Sequence, residues 1–348
     1  MLTHWCKPPD PMLWPLSEMT GSIGARMEVL TASLQSVERY EVALMGSGEG
    51  ADRMRAALYT MQDAFPGLAM IDLGNLRRPQ PEFAIPLLQE LLDARIVPVW
   101  MGQDAPLVGA ALSAYRIIER SVRWGSLHAS AAEEEDTDTA APYAVLAHQT
   151  HLTPPAYLGA LRERGTQLCR LGEVQRRPEQ TEPILRNLDL LHIHAACVEE
   201  AALPAQVPAG SVGLRVAEVC QAAYYAGASD RLSSLVLNGW DPKGDTNDRS
   251  ARALATIVWY FLDGVAHRQG DFPISKGDMT EFVVQGADHL GQTTFWKSER
   301  SGRWWVEVSD ERQQPVRKHL LACNHADCTE LTKGHITPYL LQLLGHFV

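Results

Sequence analysis

From about residue 40 the chain alternates short apolar runs with stretches whose apolar positions recur at helical spacing. The runs at 40–46, 68–74, 96–102, 120–128, 143–148, 166–172, 188–195 and 233–239 read as strands. Continuous apolar character over so few residues is what a strand buried on both faces requires. Between them, 50–64, 82–94, 106–119, 153–163, 213–226 and 247–267 carry helical periodicity. Strand followed by helix, repeated, predicts an α/β fold with a parallel sheet covered on both faces, and ligands in such sheets gather at the carboxyl ends of the strands.

Two segments break this rhythm. The stretch 129–142 is small and acidic without periodicity, and its run 133–138 reads as a solvated loop or as a cation-attracting rim beside the strand that ends at His128. After residue 270 short aromatic and β-branched runs, separated by Gly and Asp turn signals across 280–309, predict a small β-meander, followed by a helix near 337–347. Trp304 and Trp305 occupy alternating positions there, so one is expected in the core and the other partly exposed, as a subunit contact or ligand platform; Trp296 belongs to the same meander. The organisation expected is an N-terminal extension at 1–39, an α/β core at 40–270, and a meander and helix at 271–348 packed on the core.

With 45% hydrophobic residues among 348, a large core is available. The 42 acidic against 31 basic residues leave a net charge of −11, which disfavours nucleic acid and anionic lipid as partners. No stretch reaches the length of a membrane span and the start lacks a signal-peptide pattern, so a cytoplasmic protein is expected. The six cysteines are scattered and several lie in apolar runs, which fits reduced thiols.

Candidate chemistry is sparse. In 188-LDLLHIHA-195, His192 and His194 stand two apart on a strand, so both imidazoles share one face. Gly46, Gly48 and Ala51 follow a strand and open a helix, with Asp72 ending the next strand; the spacing suits a dinucleotide turn or an ordinary strand-to-helix turn. Cys323, His325, Cys328 and His335 have zinc-ligand chemistry at a spacing that matches no common finger or ribbon. No G-x-S-x-G elbow is present, and no cysteine sits in a recognised catalytic context.

The segments 54-MRAALY-59, 71-IDLGNL-76, 96-IVPVWMGQD-104, 171-LGEVQRRPEQTEPILRNLDLLHIH-194, 223-AYYAGASDRLSSLVLNGWDP-242, 257-IVWYFLDG-264 and 303-RWWVEV-308 together resemble the ureohydrolase superfamily of arginase, agmatinase and formimidoylglutamase, above all an arginase-like branch common in Bacteroidetes. The resemblance implies a three-layer α/β/α fold with a central parallel sheet of about eight strands. It also implies two manganese ions that activate a bridging hydroxide against a guanidinium or formimino carbon. A glycine-containing loop occurs in the family at 46–51 without binding a dinucleotide.

Aligned on the family's metal ligands, the chain departs from them. The Gly-Gly-Asp-His-Ser element falls on Trp100, Met101, Gly102, Gln103 and Asp104, or with the histidine at Ala105, and either way that histidine is missing. Asp-x-His-x-Asp falls on Ser126, Leu127, His128, Ala129 and Ser130; Ser-x-Asp-x-Asp falls on His192, Ile193, His194, Ala195 and Ala196. The acidic residue expected before the Asp241-Pro242 step corresponds to Gly239, beside Asn238. Two dications roughly 3.5 Å apart need anionic ligands to offset their repulsion. The expectation is an arginase-like protein with a degenerate metal site, acting alone or as a homo-oligomer as a binding or scaffold protein for an unknown protein or small molecule. The former site would comprise His128, His194, Asn238 and Asp241. The alternative is a hydrolase of C–N bonds in linear amidines, using a rearranged site or a single zinc or manganese ion on His128, His192 and His194.

Overall fold

The computed structural model describes residues 2–10, 20–31, 34, 36–78, 80–103, 107–130, 142–272, 276–285, 291–310 and 316–345. The acidic run 133–138, Asp104 and Ala105 lie outside them.

All eight expected strands form: β3 (Val42–Gly46), β4 (Met70–Leu76), β5 (Val97–Met101), β6 (Trp124–Leu127), β7 (Ala144–His148), β8 (Gln167–Arg170), β9 (Leu190–His194) and β10 (Ser234–Asn238). Two further short strands come from the N-terminal region, β1 (Cys6–Lys7) and β2 (Glu28–Val29), and both pair with β4. Among the described residues the sheet has ten strands, in the order β1-β4-β3-β5-β10-β9-β6-β7-β8 with β2 also on β4. Only β1 runs antiparallel. The central strands β3, β5, β9 and β10 are buried at every residue, which is why their sequences are apolar without alternation.

Helices cover both faces. Leu44, Val99, Ile193 and Leu237 pack with α2 (Gly48–Tyr59), α8 (Val216–Gly227) and α9 (Arg249–Ala266). Met45, Trp100, Leu190 and Val236 pack with α3 (Ile85–Asp93) and α4 (Leu107–Ile117). The small α1 (Ile23–Arg26) precedes β2, and α5 (Pro155–Glu163) links β7 to β8. Strand β8 stops at Arg170 rather than 172, and two short helices follow it that periodicity alone did not predict, α6 (Leu171–Arg176) and α7 (Thr181–Arg186).

The C-terminal part is a four-stranded antiparallel sheet of β11 (Met279–Gln285), β12 (Gln292–Ser298), β13 (Trp304–Asp310) and β14 (Arg317–Cys323), extending past the 280–309 expected, with α10 (His325–Thr332) and α11 (Pro338–Gly345). It packs on the core. Arg186, at the end of α7, donates to the carbonyls of Trp304 and Cys323, each at 3.1 Å, and lies 4.5 Å over the Trp305 ring. Asn187 and Ala322 exchange two hydrogen bonds. Trp304 and Trp305 are both buried, against the expectation that one would be exposed, because β13 is sandwiched between α10 and α11 on one face and the core on the other. The six cysteines are free thiols. No helix among the described residues is long and apolar enough to cross a membrane.

Candidate functional site

At the carboxyl edge of the sheet, β6, β9 and β10 lie side by side, with Ser126 in register with His192 and Asn238 with His194. Period-2 alternation turns Ser126 and His128, His192 and His194, and Asn238 toward the same face, the one that packs α3 and α4. The two-residue spacing read from the sequence thus brings His128, His192, His194 and Asn238 together. All four are buried.

His128 and His194 are in contact, ring centroids 4.0 Å apart and planes 35° from parallel, while His192 stands 6.2 Å from His128 and 5.9 Å from His194. The backbone N–H of Ser130 donates to His128 Nδ1 at 2.8 Å, and that of Ala196 to His194 Nδ1 at 3.2 Å. An imidazole that accepts at Nδ1 carries its neutral-state proton on Nε2. This is the reverse of a metal-ligating histidine, which donates from one nitrogen so that the other is left as ligand. His192 Nε2 lies 2.7 Å from Asn238 Oδ1, and since a carboxamide oxygen only accepts, Nε2 is the donor. Burial, and the neighbouring His128 and His192, hold the His194 pKa well below the ordinary histidine value, so its ring is neutral at pH 7.

Gly239 explains why the rings pack so tightly. Its φ is +89°, and a Cβ there would stand 2.4 Å from both Cε1 and Nε2 of His194. The position that the alignment assigns to an acidic residue therefore has no room for a side chain while His194 keeps its place. That exclusion was invisible in the sequence, although a glycine after a strand, before Trp240-Asp241-Pro242, was the available signal.

The other candidates are not part of this cluster. Asp241 is exposed and accepts the backbone N–H of Lys243, capping a turn. Asp72, whose spacing from the glycine turn suited a dinucleotide site, is fully buried and bound by Arg55 Nε at 2.7 Å, Tyr59 OH at 2.6 Å and the Gly74 N–H at 2.7 Å. With its oxygens committed to the core it is unavailable to a dinucleotide. Cys323 is buried in β14, His325 stacks on Trp304 at 4.8 Å, and exposed His335 faces Glu330, so the four proposed zinc ligands do not converge. Among the described residues no group of three or more His, Cys, Asp or Glu is arranged to hold a metal ion.

No family model and no curated protein matches the sequence. Solved structures do match. Trypanosoma cruzi formiminoglutamase, crystallised with Mn2+, superposes at TM-score 0.60 with 14% identity, over 68% of this chain and 97% of that one. Formimidoylglutamase from Bacillus subtilis gives TM-score 0.60 with 15% identity over 70% and 91%. Agmatine ureohydrolase of Thermoplasma volcanium gives 0.55 with 11% identity over 73% and 95%. The chain has the ureohydrolase fold. The histidine cluster lies at the carboxyl ends of the central strands of that fold, where open α/β sheets collect their ligands.

The ureohydrolase framework also accounts for the glycine turn. Gly46 is confined because a Cβ would meet Asn75 Oδ1 at 2.3 Å and the Ala51 Cβ at 2.5 Å, so the turn serves the packing of α2 on β3 and β4.

Proposed function

We propose that this protein is a ureohydrolase-fold binding protein without the binuclear manganese centre, rather than a C–N hydrolase. The observation that supports this reading most directly is His194, which stands where the alignment calls for a bridging carboxylate, packed against the retained His128, each ring with Nδ1 occupied by a backbone N–H. The aligned donor set of Ser126, His128, Ser130, His192, His194, Ala196 and Gly239 contains no carboxylate. Hard dications demand anionic oxygen. A manganese pair does not fit these residues.

The reading is tested on protein expressed with added manganese and purified without chelator. Elemental analysis should give manganese well below one ion per chain, and formimidoylglutamate, agmatine and arginine should remain unhydrolysed. Two manganese ions per chain, or turnover that disappears in His128→Ala, would overturn it in favour of an active amidine hydrolase.

A further inference from the structure

The sheet has a second edge, and its charge is arranged quite differently. At the amino ends of β6, β9 and β10, opposite the histidines, the incoming loops bring together Arg120, Arg123, Asp189 and Arg231. Asp189 is buried, and its Oδ2 accepts the backbone N–H of Arg123 and Nη2 of Arg231, both at 2.8 Å. Arg120 Nη2 is 3.8 Å from its other oxygen.

The Arg123 side chain makes no ion pair among the described residues; its guanidinium lies 5.8 Å over the Tyr143 ring. Arg231 lies 5.6 Å over Phe272, and its Nε is buried without an acceptor. Three guanidiniums therefore face a single carboxylate, inside a chain of net charge −11. Other nearby acids are already engaged. Asp230 accepts the backbone N–H groups of Gly270 and Asp271, and Asp271 pairs with Ser301 and Arg303. Burial first, and the adjacent Arg231 second, push the Arg123 pKa down against the opposing pull of Asp189 and Tyr143.

We propose that this cluster binds a small oxyanion, a carboxylate or phosphate group, held between Arg123 and Arg231. A guanidinium fork matches the geometry of either group and can donate to two of its oxygens at once. Tyr143 and Phe272 lie beside the two guanidinium groups and restrict their motion, which lowers the side-chain freedom lost on binding. The site is reachable, because the Arg120 and Arg231 side chains are 39% and 21% exposed. The anion would supply an acceptor for Arg231 Nε and the charge that Asp189 alone does not. The histidine edge is not involved, so the proposal is independent of whether that edge has activity.

The test is thermal denaturation of the full chain at constant ionic strength, with chloride replaced stepwise by phosphate in one series and by succinate in another. At least one series should give a saturable rise in Tm that Arg123→Gln abolishes, and the series that responds identifies the oxyanion. No saturable rise in either wild-type series, or an equal rise in Arg123→Gln, would overturn the proposal. Isothermal titration of wild-type protein with phosphate and succinate decides the same question without any variant: saturable heat with one of them is expected, and its absence with both overturns the site.

Discussion

Gly239 and His194 form one steric unit, since position 239 cannot take a side chain while the His194 ring keeps its place. Gly239→Ala places a methyl 2.4 Å from two ring atoms of His194 and asks a non-glycine residue to hold φ +89°. The combined clash and strain should cost about 2–4 kcal/mol in urea unfolding. In the double variant His194→Ala with Gly239→Ala the clash is gone and only the backbone strain and the cavity remain, so the coupling should exceed about 1 kcal/mol in a double-mutant cycle. Strict additivity would mean that the ring is not confined by position 239. The histidines also set a pH dependence. The His194 and His148 pKa values are held below the ordinary 6.5 chiefly by burial, so the unfolded chain takes up protons first as pH falls. Stability should therefore be level between about pH 7 and 8 and fall below about 6.5, with a slope of at most about 1.4 kcal/mol per pH unit for each histidine. A His194→Asn variant should flatten that slope; an unchanged slope would remove the ring from the account. The sequence made the shared face of His192 and His194 legible, because strand alternation fixes it. What each nitrogen does was not legible, because it depends on the turn that each strand makes at its end.

At the scale of elements, α8 and α9 show how closely the layers are fitted. A Cβ on Gly227 would stand 2.2 Å from the Phe261 carbonyl oxygen, and one on Gly264 2.3 Å from that of Tyr224. Both obstacles are backbone, so neither can rotate away. Alanine normally favours a helix interior over glycine by about 1 kcal/mol. Here Gly264→Ala should instead destabilise by about 2 kcal/mol or more, because the helices must separate to admit the methyl. Denaturation of a variant as stable as wild type would show that the pair gives way cheaply. Periodicity found both helices and missed this crossing, since a glycine in a helical pattern does not announce its neighbour. It missed α6 and α7 for a different reason: each has only six residues, too few to show a helical period, and Pro183 lies in the first turn of α7, where proline is tolerated.

For the molecule as a whole, the order of buried strands carried the fold at identities of 11% to 15% to its structural neighbours, because a pattern of buried positions survives wide divergence of the residues that fill it. Among the polar groups that hold the C-terminal layer to that fold, Arg186 makes several contacts at once. It is buried, pairs with Glu182 at 2.9 Å, holds the carbonyls of Trp304 and Cys323, and covers Trp305. Arg186→Ala would remove the charged donor that two buried carbonyls share, at about 1.5–3 kcal/mol for each hydrogen bond lost. The loss should be local before it is global. Hydrogen exchange should quicken across β13 and β14 while β3, β5 and β10, enclosed by α2, α4, α8 and α9, keep their protection. Arg186→Lys, which retains charge but not two fixed donors, should recover only part of the difference. Uniform quickening over the whole sheet would instead mean that the C-terminal layer and the core unfold as one unit, and that Arg186 stabilises the entire molecule rather than the seam.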